Sequence, residues 1–447
     1  MPETSRVLIE GSTPPRVAWS FPDVYAGVVG LGTRIIDFQA FDTQGKPVEV
    51  RAKAPGQFEA ATPASSFRYM VNLTPPARPS DAALVSWLNL DRGVLVASDL
   101  LPEGLVDRTN LTLEYPSGWN HYASQISFTG PYYGIVDAGR SVWIVGKSLR
   151  LSTKKVSGPL LNLISDGDWA FQDSDVMNLF DKILKRHSQL VGPNPCQQTT
   201  LTVLPLPVAA SAGAWSALTR GCSVTILLSK QPSRVGALSQ LGNALTHELF
   251  HLWIPNALAL TGPYDWFYEG FTVYHAARVA VDLDLLTFAD FLTALGRASD
   301  GATLARELNE LSLIDASQRR FTIGASGVYA KAMLVAFIYD LNLRYQTKNR
   351  RSLDDVYRDI FRALERGKQS GDGNALALTA LRAEFDSQNF VSRFVTEPVN
   401  IDLQTELAPF GLRVEKFGFR TRIVVSEKLT KRQRDLLGEL GYNDRTR

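Results

Sequence analysis

Short runs of alternating apolar and polar residues, broken by Gly, Pro, Asn and Asp, fill roughly the first 150 positions of the chain. Arg34–Phe41, Phe67–Leu73, Val94–Val96, Leu111–Tyr115 and Ser141–Val145 read as strands, and the tracts Asp42–Gly45 and Tyr115–Gly118 as turns. The pattern predicts a β-sandwich-like domain over residues 1–155. The period then changes. Val176, Leu179, Phe180, Ile183 and Leu184 share one stripe and predict an amphipathic helix over Asp175–Leu190. Two strand-like runs follow, Thr199–Leu206 and Val224–Leu228, with a loop of small residues between them. From Gln240 to Leu412 the pattern is helical, with capping-box starts at Thr287/Asp290 and Ser352/Asp355 and with Val328–Arg344 and Ala375–Phe385 as the clearest helices. A strand (Arg420–Val425) and a charged helix (Leu429–Leu440) close the chain. The expected class is α+β: an all-β domain (1–155), a mixed α/β domain (156–275), a mostly helical domain (276–412) and a C-terminal extension (413–447).

Composition narrows the picture. With 447 residues, 45% hydrophobic and 21% charged, the chain can bury several cores, which excludes global disorder. A formal charge of +2 gives no field that selects nucleic acid as a partner, and none is expected. Ala332–Tyr339 is the longest apolar run, far below the ~18 residues of a membrane span. Residues 1–21 carry no apolar signal core, so the chain is expected to be intracellular or written without its leader. Cys196 and Cys222 each open an expected strand, and both a bridge and two buried thiols stay open.

The chemistry is concentrated in Thr246-His247-Glu248-Leu249-Phe250-His251, an H-E-x-x-H run. On a helix, residues four apart share a face, so two imidazoles can reach one Zn²⁺ at ~2.0–2.1 Å. Glu248, about 100° round from His247, can hold a water without being a ligand. With five histidines and 17 glutamates in the chain, this pattern arises by chance roughly twice in a thousand shuffled sequences. Between Tyr115 and Arg306 the sole glutamates are Glu248 and Glu269. Glu269 follows His251 after 17 residues, a gap that suits a second helix crossing the first and presenting a third ligand. Two His and one Glu with an open fourth position make a catalytic zinc site.

The H-E-x-x-H run, Trp266-Phe-Tyr-Glu269-Gly270-Phe271 and Tyr329-Ala-Lys331 together resemble the gluzincin metallopeptidases, and most of all the glycyl aminopeptidase family, peptidase family sixty-one. The resemblance covers about Gly167 to Leu412. It implies a thermolysin-like catalytic domain and one Zn²⁺ per chain held by His247, His251 and Glu269. It further implies Glu248 as general base, Tyr329 as oxyanion donor, a peptide or protein substrate and an extracytoplasmic setting.

Two departures qualify it. The family run Y-x-K-G is here Tyr329-Ala-Lys-Ala332. The region where related aminopeptidases place an amine-binding glutamate, Gly213–Gly221, has no acidic residue and carries Arg220. Aminopeptidase specificity is therefore open, and a catalytically impaired zinc protein that binds peptides or partners is the alternative. The family's PDZ domain is expected to be absent or removed, since only 35 residues follow Leu412. An extended substrate is expected to add to a sheet edge near Ser223–Leu228. Thr272 is a candidate partner for Glu269, whereas His275, His121 and His187 are read as structural or solvent-facing, and Trp215, Trp266 and Phe267 as core or subsite aromatics.

Overall fold

The computed structural model describes all residues except 106–108, 125–126, 130–131, 136, 156–158, 366–369, 385–387 and 444–447. The expected domain boundary after residue 155 and the last residue of the expected helix Ala375–Phe385 adjoin or enter segments outside the described residues. Contacts divide the chain into two units: residues 1–177 with 196–244, and residues 178–195 with 245–447.

In the first unit, β1 (Arg6–Ser20), β2 (Ile35–Phe41), β3 (Val50–Ala54) and β4 (Gln57–Asn72) form an antiparallel sheet in which β4 pairs with the other three. Its inward side chains, among them Trp19, Phe21, Phe67, Tyr69 and Val71, build an aromatic-rich core. Strand β5 (Arg92–Val96) pairs with β6 (Val142–Gly146) in a further antiparallel sheet. A five-stranded mixed sheet completes the unit. It is built from β7 (Arg150–Lys155), β8 (Leu160–Ser165), β9 (Gln198–Pro205), β10 (Trp215–Arg220) and β11 (Ser223–Leu228), in the order β7-β8-β9-β11-β10. The β8–β9 and β9–β11 pairs are parallel. A parallel pair needs a crossover, and α1 (Asp173–Val191) supplies it between β8 and β9. Strands buried on both faces read as continuous apolar runs, and every residue of β11 is buried.

The edge expected at Ser223–Leu228 is therefore an interior strand, hydrogen-bonded to β9 on one side and β10 on the other. The run between the two expected strands is not all loop, since Trp215–Arg220 is the edge strand. Cys196 and Cys222 are joined in a disulfide with their Cα atoms 5.8 Å apart.

The second unit is helical. It contains the end of α2 (Arg234–Phe250), α3 (Thr272–Asp282), α4 (Phe288–Leu304), α5 (Leu313–Gln318), α6 (Ala325–Thr347), α7 (Leu353–Glu365) and α8 (Gly373–Ala383). Helix α6 carries buried side chains all round from Met333 to Leu341, as the central member of a bundle must. The Thr287/Asp290 capping box is present at the start of α4. At α7 the Ser352 hydroxyl donates to Asp355 while the Ser352 N–H donates to the same carboxylate, a one-sided version of that cap. The C-terminal extension holds a strand the sequence reading passed over: β12 (Leu412–Phe417) pairs with β13 (Arg420–Val425) before α9 (Lys431–Gly438). No helix among the described residues is long and apolar enough to cross a membrane.

Candidate metal centre

The last turns of α2 are fixed by buried Leu241, Ala244, Leu245, Leu249 and Phe250. That burial leaves one face of the turn for His247 and His251. The helix ends at Phe250, and His251 sits in the tightened turn that follows, its N–H donating to Glu248 O at 3.1 Å. The negative end of the helix dipole thus lies at the two imidazoles and favours a cation there.

Glu269 comes from a wide turn, Trp266–Phe271, wound as a single π-helical turn that runs straight into α3. Such turns are frequent at functional sites because the extra residue re-aims a side chain. Trp266 and Phe267 are fully buried and anchor the turn as core residues, so they line no subsite. Trp266 Nε1 donates to Asn374 Oδ1 and Trp266 N–H donates to Ser317 Oγ.

Three side-chain atoms meet. His247 Nε2 and His251 Nε2 are 3.0 Å apart, and Glu269 Oε2 lies 3.3 Å from the first and 3.5 Å from the second. Ligands about 2.0–2.1 Å from a tetrahedral zinc stand roughly 3.3–3.4 Å from one another, so this triangle has the dimensions of three corners of such a site. His251 Nδ1 donates to Ile254 O at 2.8 Å, so Nε2, once it gives up its proton, turns a lone pair to the centre of the triangle. The three residues also form the one group of potential ligands of this kind among the described residues.

The electrostatics point the same way. Burial works against a charged His251, yet the Glu269 carboxylate, with Glu248 behind it, lifts its pKa to about 9. Glu269 is held well below the usual carboxylate range: burial opposes this, and the two imidazoles overcome it. A centre that draws in a proton so strongly offers an equivalent place to a divalent cation, whose binding then releases the proton. The donor set, its spacing and its charge fit zinc.

Glu248 is buried on the same turn, between the two imidazoles in sequence. Tyr329 projects from α6, half-buried, where burial and the charge of Glu269 push its pKa up, so the hydroxyl keeps its proton. Arg320 lies near that hydroxyl, where its positive charge partly opposes the rise. It pairs with Asp265 at 2.7 Å, and Asp265 accepts from Tyr268 OH at 2.6 Å. Asp265, Tyr268 and Arg320 were invisible to sequence reasoning, since no spacing rule links positions 265, 320 and 329.

Other expectations are corrected. Thr272 does not serve Glu269; its hydroxyl donates to Tyr268 O. Arg220 is buried and its guanidinium donates to Ala83 O and Leu84 O, so its charge is committed to backbone inside the first unit. Of the two alternatives for His187 the solvent-facing one fails: it is fully buried and hydrogen-bonded to His275.

Neither known protein families nor curated proteins match the sequence. Solved structures do match in fold. An aminopeptidase N family protein from Idiomarina loihiensis is 17% identical, with a TM-score of 0.78 over 93% of this chain and 78% of that one. An M1 zinc metallopeptidase from Deinococcus radiodurans, a mutant form bound to a Tyr-Ser-Ala substrate, is 13% identical, with a TM-score of 0.53 over 90% and 92% of the two chains. A two-domain M1 zinc metallopeptidase mutant bound to L-tryptophan is 15% identical, with a TM-score of 0.51 over 89% and 91%. At these identities the likeness establishes a shared fold.

Proposed function

We propose that the chain is a zinc-dependent metallopeptidase, with one Zn²⁺ held by His247, His251 and Glu269. The observation that carries the proposal is the triangle of ligand atoms with edges of 3.0, 3.3 and 3.5 Å. The fold it shares with zinc metallopeptidases supports the same reading. So does the sequence resemblance to the gluzincins, with the glycyl aminopeptidase family as its finer form.

When bound there, zinc supplies Lewis acidity toward a carbonyl and brings the pKa of a water toward ~7. The chain's own residues do the rest. Glu248 accepts a proton from the attacking water and delivers it to the departing amine nitrogen. Tyr329 donates its O–H to the carbonyl oxygen as negative charge builds there. Asp265, itself held by Tyr268, keeps the Arg320 charge beside this tyrosine. The substrate is a peptide or a protein. The disulfide supports a setting outside the reducing cytosol.

The deciding experiment measures zinc content together with cleavage of a mixed peptide library by wild type and Glu248→Gln. Wild type should bind one zinc and cleave; the variant should bind zinc and not cleave. A zinc-loaded wild type as inert as the variant rejects peptidase activity. That result favours the second reading, a zinc-bearing peptide binder, which the absence of any acid in Gly213–Gly221 and the Ala332 departure motivate. Comparing free with N-acetylated peptides separates exopeptidase from endopeptidase action, since a site that needs the free amine loses the blocked substrate.

A further inference from the structure

A second cluster of buried ionisable side chains touches α2 one residue before His247, and the proposed chemistry does not use it. His187 on α1 places Nε2 3.0 Å from Thr246 O and Nδ1 3.1 Å from His275 Nε2. His275 on α3 places Nδ1 3.1 Å from Asp354 Oδ1. Asp354 opens α7, and its other oxygen accepts from Arg278 at 2.5 Å, with Arg344 at 4.0 Å. His187, His275 and Asp354 are all buried.

The protons in this chain can be counted. A peptide carbonyl only accepts, so His187 Nε2 carries a hydrogen. Arg278 on its far oxygen keeps Asp354 ionised, well below the usual carboxylate range in spite of its burial, so Oδ1 accepts and His275 Nδ1 carries a hydrogen. The central contact between the rings needs a third hydrogen, because otherwise two lone pairs would face each other at 3.1 Å. Three hydrogens on four ring nitrogens amount to one positive charge shared by two imidazoles, with the Asp354 carboxylate at its His275 end.

Burial drives both rings toward neutrality, Arg278 adds to that, and the Asp354 charge opposes it without reversing it. Against this stand the contact geometry of the two rings and the groups around them. Phe250, the last residue of α2, lies with its ring centroid 4.0 Å from that of His275 and 5.4 Å from that of His187, where an aromatic face favours a cation. Asp282 adds a second carboxylate on the His275 side and is tied to Arg186 and Arg278. Tyr357 meets His275 ring to ring, and Tyr274 and Arg344 are held by Asp340.

We infer that His187, His275 and Asp354 form a positioning relay that shares one proton and through it clamps the Thr246 carbonyl, fixing His247 against Glu269. The connection is covalent at both ends. Thr246 is peptide-bonded to His247, and His275 lies on the same helical run, residues 266–282, that carries Glu269. The relay thus sets the spacing between the element bearing two ligands and the element bearing the third. This rests on the zinc reading of that triangle, while the proton count does not.

Two measurements test it on the full chain. Nitrogen-resolved NMR of the imidazoles in the metal-free protein should count three ring N–H protons on His187 and His275 together; two would overturn the shared charge whatever the protein does with zinc. Zinc affinity, read by competition with a chelator, should fall about tenfold in His187→Leu, the scale of losing an outer partner of a metal site. It should stay within about twofold of wild type in His187→Gln, whose amide can donate to Thr246 O and accept from His275. Equal loss in both folded variants, or no loss in either, overturns the positioning role. A wild type that binds no zinc while showing three protons rejects the zinc reading and leaves the relay standing.

Discussion

Gly270 and Ala332 face each other so closely that a Cβ added to Gly270 would stand 2.2 Å from the Cβ of Ala332 and 3.3 Å from Tyr329 O. The turn that carries Glu269 is thereby seated directly on α6, the helix that carries Tyr329. The alanine at position 332, where the resembling family has glycine, is accommodated because position 270 has no side chain.

Gly270→Ala should therefore cost on the order of 1–3 kcal/mol by overpacking, and more if α6 cannot yield. It should also weaken zinc binding, since Glu269 is the neighbouring residue. The double variant Gly270→Ala/Ala332→Gly moves the methyl group from one partner to the other and should recover much of both losses. Urea unfolding and chelator competition on the four proteins close the cycle.

The proposed ligand residues were legible in the sequence because His247 and His251 obey a local rule, a spacing of four on a helix, and because Glu269 stands in a glutamate-poor stretch. The helices followed from period alone: Asp173–Val191 differs from the expected Asp175–Leu190 by a residue or two at each end. Strands without strong alternation did not follow. Arg6–Ser20 carries Pro14 and Pro15 in mid-run, and the ladder shifts register between Ser12 and Arg16, where a proline can sit without a donor. Trp215–Arg220 mixes Trp215 and Leu218 with small and polar residues and is recognisable as a strand through its pairing with Ser223–Leu228. His187, His275, Asp265 and Arg320 depend on long-range packing, which no local pattern records.

Tyr329→Phe isolates the proposed oxyanion donor. The ring remains and the hydroxyl goes, so kcat on a cleaved peptide should drop ~10²–10³ while KM and zinc content change little. Arg320→Met should lower kcat by a smaller factor, since it leaves the hydroxyl in place and removes only a nearby positive charge. A Tyr329→Phe enzyme with unchanged kcat would overturn the donor role.

Lys331, two residues on from Tyr329, is buried and donates through Nζ to Leu308 O at 2.6 Å and Leu311 O at 3.4 Å. Burial lowers its pKa to about 8. A folded pKa below the unfolded value near 10.5 means that the unfolded chain binds more protons between those two values, so stability rises with pH across that interval. Below about 8 both states hold the proton and the cost of burying the charge is constant. Wild type should gain on the order of a few kcal/mol relative to Lys331→Met as pH rises from 8 to 10.5, and chemical denaturation at several pH values checks it. Parallel profiles for the two proteins would show that the two carbonyls compensate the buried charge fully.

The Cys196–Cys222 bridge closes a loop of 26 residues within the first unit, while all three proposed ligands belong to the second. Cross-linking a loop of that length removes about 3–4 kcal/mol of chain entropy from the unfolded state. Cys196→Ser/Cys222→Ser should therefore lower the melting temperature of that unit by on the order of 10 °C, as a domain of this size responds to such a loss. Zinc content should be unchanged, because the bridge ties the starts of Gln198–Pro205 and Ser223–Leu228 and holds none of the ligand residues. Calorimetry of the wild type, the reduced wild type and the double variant separates the cases. Reduction should reproduce the double variant, and a melting temperature indifferent to both would mean that β9 and β11 hold their register through the six paired positions of the parallel ladder alone.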